Sequence, residues 1–122
     1  MEEHPLVDQV IWAGLPSSPW YERAQKYLPK GPGAVVGFTL KDADLEQTRT
    51  FVDALQLHSN VANIGDVRSL VIHPASTTHS QLSEEELEAI GVSKNFVRLA
   101  VGIENIDDII ADLELGFATL NA

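Results

Sequence analysis

Arg98 stands in the middle of an apolar, β-rich run, Phe96-Val97-Arg98-Leu99-Ala100-Val101. Side chains alternate along a strand, so Val97, Leu99 and Val101 share one face and belong on a core. Arg98 then points the other way, with Phe96 and Ala100. A planar guanidinium in such a place needs a partner, and its fork suits a carboxylate. Two uses are open on the residues alone: binding the carboxylate of a ligand, or pairing with one of the chain's 18 acidic residues.

A second group is His73-Pro74-Ala75-Ser76-Thr77-Thr78-His79. Its two histidines and three hydroxyls invite a metal or a nucleophile. The spacing matches neither a helical histidine pair nor a zinc pattern, and no Gly-x-Ser-x-Gly elbow is present. Read as structure, it is a strand exit whose polar side chains satisfy loop backbone groups. Glu104, Asp107, Asp108 and Asp112 form an acidic cluster without calcium-loop spacing. Helix capping, the macrodipole and solvation account for them. The glycines at Gly31, Gly33 and Gly37 do not form a nucleotide fingerprint.

The elements that must position these residues follow from periodicity and punctuation. A short extended piece is expected around Val10-Ile11-Trp12. A helix is expected from Ser18 as cap, with Pro19 in its first position, to about Tyr27. Ala34 to Leu40 reads as a buried strand, and Asp42 or Asp44 caps the next helix, whose Leu45, Val52 and Leu55 share a face. A short extended piece lies near Val61, then a strand at Ser69–His73 ended by Pro74. Ser83 and Glu86 form a capping box on a helix that stops at Gly91. Phe96 to Val101 is a strand. Asn105 caps a last helix with an apolar stripe of Ile106, Ile109, Ile110, Leu113, Phe117 and Leu120. The order predicts an α/β (α+β) sandwich: a small mixed, mostly antiparallel sheet of about four strands, with helices mainly on one face. Residues 1–17 read as a connector and 18–122 as the domain.

The 122 residues suit one domain with a core of its own. A formal net charge of −10 argues against nucleic acid and anionic membrane surfaces as partners. The absence of cysteine removes disulfides, thiolate metal sites and a cysteine nucleophile, and is compatible with the cytoplasm.

Several long strings occur together: Ala62-Asn63-Ile64-Gly65-Asp66, Ser69 to His79, Leu82-Ser83-Glu84-Glu85-Glu86, Val97-Arg98-Leu99, Val101-Gly102-Ile103-Glu104 and Ile106 to Leu113. With His4-Pro5, Gly14-Leu15 and Lys26 to Gly31 upstream, they resemble the C-terminal domain of the Cys/Met-metabolism pyridoxal-phosphate enzymes. The Ala-Asn-x-Gly-Asp and Ser-Thr-Thr-His versions are most similar to the O-acetylhomoserine sulfhydrylase branch. Methionine γ-lyase and cystathionine γ-synthase are alternative parents.

The resemblance implies a domain that works within a larger, cytoplasmic, pyridoxal-phosphate-dependent enzyme, a homotetramer in this family. That enzyme replaces the acetate of O-acetylhomoserine or O-acetylserine with sulfide. It implies that Arg98 binds the substrate α-carboxylate, with Asn63 beside it and Ser76, Thr77 and Thr78 lining the same region. His73 and His79 are structural in this comparison. The family's cofactor lysine follows Ser-x-Thr in a large N-terminal domain. Lys26, Lys30, Lys41 and Lys94 sit in other contexts, so no catalytic, cofactor-binding or metal-ligating residue is expected here, and the chain alone is expected to be inactive. Two other uses of the fold are open: a stand-alone module that captures amino-acid carboxylates through Arg98, or an interaction domain that docks to a full-length relative.

Overall fold

A computed structural model describes residues 1–63, 65–77 and 79–121. The elements in chain order are β1 (Val7–Ile11), α1 (Tyr21–Tyr27), β2 (Val35–Leu40), α2 (Leu45–Asp53), β3 (Ser59–Asn60), β4 (Leu70–Ile72), a 3-10 turn (Pro74–Ser76), α3 (Glu84–Ala89), β5 (Phe96–Ala100) and α4 (Ile106–Leu120). The strands form one sheet in the order β1-β2-β5-β4-β3. Three of the pairings are antiparallel and β3–β4 is parallel. The expected mixed, mostly antiparallel sheet is therefore present, with five strands instead of about four. The additional strand is β1, from the stretch read as a connector. The short extended piece expected around Val10-Ile11-Trp12 overlaps it, and a register shift between Val7 and Gln9 interrupts its pairing with β2.

Helix starts follow local chemistry. Asp44, not Asp42, caps α2: its side chain accepts from the Gln47 N–H at 2.8 Å while the Gln47 side chain accepts from the Asp44 N–H at 2.9 Å. Asp42 instead adopts a positive φ of 54° in the preceding turn. Ser83 and Glu86 make the expected capping box on α3, and Gly91 follows it at φ 79°. Asn105 accepts from the Asp107 N–H at 2.8 Å and caps α4. The first helix differs from expectation. Ser18 opens a turn closed by the Tyr21 N–H on its carbonyl, and α1 begins only at Tyr21, without a side-chain cap.

The main core lies on one side of the sheet. Phe38 and Leu40 of β2, Val71 of β4, and Val97 and Leu99 of β5 meet Phe51 and Val52 of α2 and Ile109, Leu113 and Phe117 of α4. Phe51 stands edge-on to both Phe38 and Phe117, at 5.9 and 5.0 Å between centroids. The stripe of α4 is rotated from the expected one. Ile109, Asp112, Leu113, Gly116 and Phe117 are buried, whereas Ile106 and Ile110 are exposed. Gly116 is needed at this contact, because a Cβ there would lie 2.6 Å from the Phe51 ring. Among the described residues no helix is long and apolar enough to cross a membrane.

Candidate functional site

Arg98 sits on the opposite side from this core. In β5, Val97 and Leu99 are buried, and Phe96, Arg98 and Ala100 between them are half-buried. Arg98 lies opposite Gly37 of β2 on one flank and Ile72 of β4 on the other. Gly37 offers no side chain, and the Phe96 ring occupies that space, 2.6 Å from where a Cβ would stand. Ile72 is buried. Arg98 thus stands mid-sheet, on the same face as Phe96 and Ile72. Among the described residues no carboxylate lies within ion-pairing distance of it, and no hydrogen bond engages it. Of the two uses open in the sequence, the internal ion pair is absent among the described residues. Thr39, on the same face, has a buried hydroxyl without a hydrogen-bond partner.

The other residues singled out are placed differently. Asn63 lies in an exposed segment just beyond β3. Ser76 and Thr77 donate their hydroxyl protons to the His73 carbonyl, at 3.4 and 2.8 Å. They line a pocket of about 220 Å³ with Arg49, Asp53 and His73, and Arg98 is not among its lining residues. Thr78 lies outside the described residues. His73 is 1% exposed, and its Nε2 is 2.6 Å from the Lys94 carbonyl. Burial holds its pKa below the usual value, against the pull of that carbonyl. The ring is therefore neutral near pH 7, with the proton on Nε2 facing the carbonyl oxygen.

Two acids that were assigned to capping and solvation have other work. Asp112 is 4% exposed. Its carboxylate accepts from the backbone N–H groups of Gln56, Leu57 and His58 at 2.7, 2.8 and 2.9 Å, and pairs with His58 Nδ1 at 2.6 Å. Burial opposes ionisation most strongly, but the His58 ring and the three N–H groups together outweigh it and hold the pKa below the usual carboxylate value. The loop before β3 is thereby clasped to α4. Glu104 accepts from the Ser69 N–H at 2.8 Å and from its hydroxyl at 2.9 Å. The Ser69 N–H is the main reason that its pKa is lowered. The signal for Asp112 was its position between Ile109 and Leu113, on the buried side of a helical stripe.

The comparisons with known proteins agree with this architecture. A family model for Cys/Met metabolism PLP-dependent enzymes matches residues 1–118. The chain belongs to this family. An O-acetyl-L-homoserine sulfhydrylase of Corynebacterium glutamicum is 54% identical over 120 residues, which are 98% of this chain and 27% of that protein. The O-acetyl-L-homoserine sulfhydrylase 1 of Thermus thermophilus is 50% identical over 116 residues, 95% of this chain and 27% of the relative. Among solved structures, a Campylobacter jejuni protein assigned as an O-acetylhomoserine (thiol)-lyase, which carries an N′-pyridoxyl-lysine monophosphate, superimposes with a TM-score of 0.85 at 43% identity. The match covers 96% of this chain and 28% of that one. Cystathionine γ-synthase of Xanthomonas oryzae, in complex with cystathionine, gives a TM-score of 0.85 at 35% identity, over 98% of this chain and 30% of its own. The chain thus spans about a quarter of the length of the curated relatives it matches.

A Cys/Met-metabolism enzyme needs a lysine amine in an enclosed site to carry pyridoxal phosphate. The residues present do not fit that group. Lys26, Lys30, Lys41 and Lys94 are all exposed. Lys94 lies 3.7 Å from Glu84, and Lys26 lies over the Tyr27 ring at the surface. None lies on the Arg98 face of the central strands, and none has the buried surroundings that lower a lysine pKa toward nucleophilicity.

Proposed function

We propose that this chain is the C-terminal domain of an O-acetylhomoserine (or O-acetylserine) sulfhydrylase and contributes the anchor for the substrate α-carboxylate. The observation that carries this reading is Arg98: a half-buried arginine in the middle of a central strand, without an ion pair or side-chain hydrogen bond among the described residues, on the less covered side of the sheet. A partly buried cation without a partner gives up some hydration for no contact. A carboxylate that docks against it gains two charge-assisted hydrogen bonds and removes that cost. Asn63 supplies an amide beside the same carboxylate. Ser76 and Thr77 donate their protons to the His73 carbonyl and line a pocket that Arg98 does not, so Arg98 is the anchor in this reading.

In this reading the cofactor and its carbanion chemistry belong to a large N-terminal domain, joined to this one ahead of β1. The domain described here binds and orients the substrate and does not hold or move the reacting proton. Its partners are that large domain and further subunits of a cytoplasmic homotetramer, and the isolated chain neither binds pyridoxal phosphate nor turns over substrate. The identity of 54% with the Corynebacterium relative, against 35% with cystathionine γ-synthase, favours the sulfhydrylase over the other parents.

A domain exchange tests the reading. Residues 18–122 replace the matching segment of the Corynebacterium relative, and activity with O-acetylhomoserine and sulfide is compared with and without Arg98→Ala. The chimera is expected to turn over and the variant to lose about a hundredfold in kcat/KM, the scale of a charge-assisted bidentate contact. Equal activity of the two would remove Arg98 from the site.

A further inference from the structure

β1 closes one end of the sheet: β2 flanks it on one side, and no described strand flanks it on the other. The pairing shows which of its backbone groups are free. The Leu40 N–H bonds the Asn95 carbonyl and the Val101 N–H bonds the Ala34 carbonyl, so the even positions of β2 turn their backbone groups to β5. Gly37 and Thr39 then turn theirs to β1, where their partners are Ile11 and Gln9. Val10, between those two, turns its N–H and C=O outward from the sheet. No described residue takes either group.

A groove of about 390 Å³ has Asp8 to Ile11 on one side and Ser17 to Trp20 on the other. Gln9 and Ile11 belong to one face of β1 and Val10 to the opposite one, and all three line the groove, so it follows the edge of the strand and not a face. Ile11 and Trp20, 49% and 55% exposed, give it apolar surface beside Pro19. Its neutral polar side chains do not select a charge. The Ser17 hydroxyl donates to Glu2, the Ser18 hydroxyl accepts from the Trp20 N–H, and the Gln9 amide can donate or accept. The charged groups that line the groove are the carboxylates of Glu2 and Asp8, both on exposed residues and neither in an ion pair among the described residues. No cation lines it. The guanidinium of Arg23 stands over the Trp20 ring, 5.3 Å from its centroid, so that ring already accepts a cation on one face.

We propose that this edge takes up an extended, cationic segment of another protein as an added strand. The residue opposite Val10 exchanges two backbone hydrogen bonds with it. Lysine or arginine side chains of the segment meet Glu2 and Asp8, and apolar ones at alternate positions rest on Ile11 and Trp20. A helix could not answer Val10, because its backbone groups are spent on itself. A second copy of this chain would bring its own net charge of −10 and two more carboxylates to the groove. Charged residues on an edge strand keep like copies apart, and here they also choose the sign of the strand that can pair. The proposal makes no use of Arg98.

The test titrates the 122-residue chain, labelled with 15N, with the peptide acetyl-Lys-Val-Lys-Val-Lys-amide. Its glutamate counterpart, acetyl-Glu-Val-Glu-Val-Glu-amide, reverses the charge, and spermidine carries cations without a peptide backbone. Saturable movement of the Val10 amide resonance and slower exchange of its proton with solvent are expected with the lysine peptide. Both controls are expected to need concentrations about tenfold or more higher. Glu2→Gln and Asp8→Asn alter exposed side chains; each is expected to weaken binding about threefold, and the pair about tenfold. The proposal is overturned if the Val10 amide stays still while the lysine peptide moves resonances of the acidic helices α3 and α4. It is also overturned if either control matches the lysine peptide, or if the double variant binds like the parent chain. Protection of the Val10 amide that rises with chain concentration alone would assign the edge to a second copy and overturn it as well. None of these outcomes bears on turnover by the chimera, so the two readings fail separately.

Discussion

On the side of the sheet that meets α2 and α4, Phe38, Leu40, Val71, Val97 and Leu99 are at most 3% exposed and belong to one core cluster. On the other side, Ile11 is 49% and Val35 is 40% exposed, Phe96, Arg98 and Ala100 are half-buried, and Gly37 has no side chain to pack. Leu70 and Ile72 are buried on that side too, but they do not join the main cluster. The same five strands thus carry a finished face and an unfinished one. The finished face stabilises the fold by removing apolar area from water. The unfinished face keeps a cation without a partner among the described residues, which no stability argument favours, and this is where a ligand or a second domain has something to gain. The contrast can be probed by making equivalent changes on the two sides.

The largest difference is expected for large-to-small substitutions. Phe51→Ala empties the centre of the finished face and should lower the free energy of unfolding by about 3–5 kcal/mol. Ile11→Ala, on the unfinished face, should cost about 1 kcal/mol or less, because half of its side chain is already in water. Urea unfolding of the two variants measures this. Similar losses for both would mean that the second face is packed as tightly as the first.

The clasp at Asp112 belongs to the finished face and comes next. Asp112→Asn keeps the shape but removes the charge that four donors address, and should cost about 2–3 kcal/mol. It also carries a pH signature. The unfolded carboxylate takes its proton near the ordinary pKa of about 4, and the folded one only at lower pH. Its contribution is therefore complete above about pH 4 and is lost as pH falls from there through the folded pKa. Glu104 has the same sign and window. His73 acts earlier. Its folded pKa is depressed below the unfolded value of about 6.5, so the unfolded chain protonates first and stability begins to fall just below that pH. The urea midpoint should decline in two stages on acidification. Asp112→Asn should shrink the lower stage and leave the upper one, and an unchanged lower stage would assign it to other carboxylates.

The finished face was largely legible in the sequence and the unfinished one only in part. Asp42 or Asp44, Ser83 and Asn105 announced three helices, because a cap is a local contract between a side chain and an N–H two or three residues on, and the structure chose Asp44. The alternation in Phe96 to Val101 placed Val97 and Leu99 inward and Arg98 outward, because strand geometry alone decides it. At β1 only a short extended piece within a connector was legible, because a register shift interrupts its alternation and its pairing with β2 is tertiary. In α4, Ile106 and Ile110 fit a helical stripe as well as Ile109 does. Only tertiary contacts, Phe51 on Gly116 and the loop at 56–58 on Asp112, turn the helix toward the 112–116 side. The missing partner of Arg98 was not legible, since a composition with 18 acids offers partners everywhere until distances are known. The role proposed for it came from family resemblance, and the structure adds that no ion pair or side-chain hydrogen bond among the described residues engages it.

A finer comparison uses two glycines. An added Cβ would lie 2.6 Å from the Phe51 ring at Gly116 and 2.6 Å from the Phe96 ring at Gly37. The distances match but the surroundings do not. Phe51 is wholly enclosed and cannot yield, so Gly116→Ala should destabilise by about 1–2 kcal/mol even though alanine favours a helix by about 1 kcal/mol over glycine. Phe96 is half-exposed and can swing toward solvent, so Gly37→Ala should stay within about 0.5 kcal/mol of the parent. Thermal unfolding of both variants gives the ranking, and a reversed order would place the rigid ring on the wrong face.

The smallest effect on stability is expected for Arg98→Leu, and its smallness is the point. A residue held in place for folding loses something when replaced. Arg98 has no ion pair or hydrogen bond among the described residues to lose, and leucine suits the interior of a strand beside Ile72 and Phe96. The isolated chain should therefore be unchanged or up to about 1 kcal/mol more stable, because a partly desolvated cation disappears. A loss of 2 kcal/mol or more, on the scale of a broken buried interaction, would show that Arg98 has a structural partner in solution. It would then belong to the finished half of the molecule, and its availability to a ligand carboxylate would go with it.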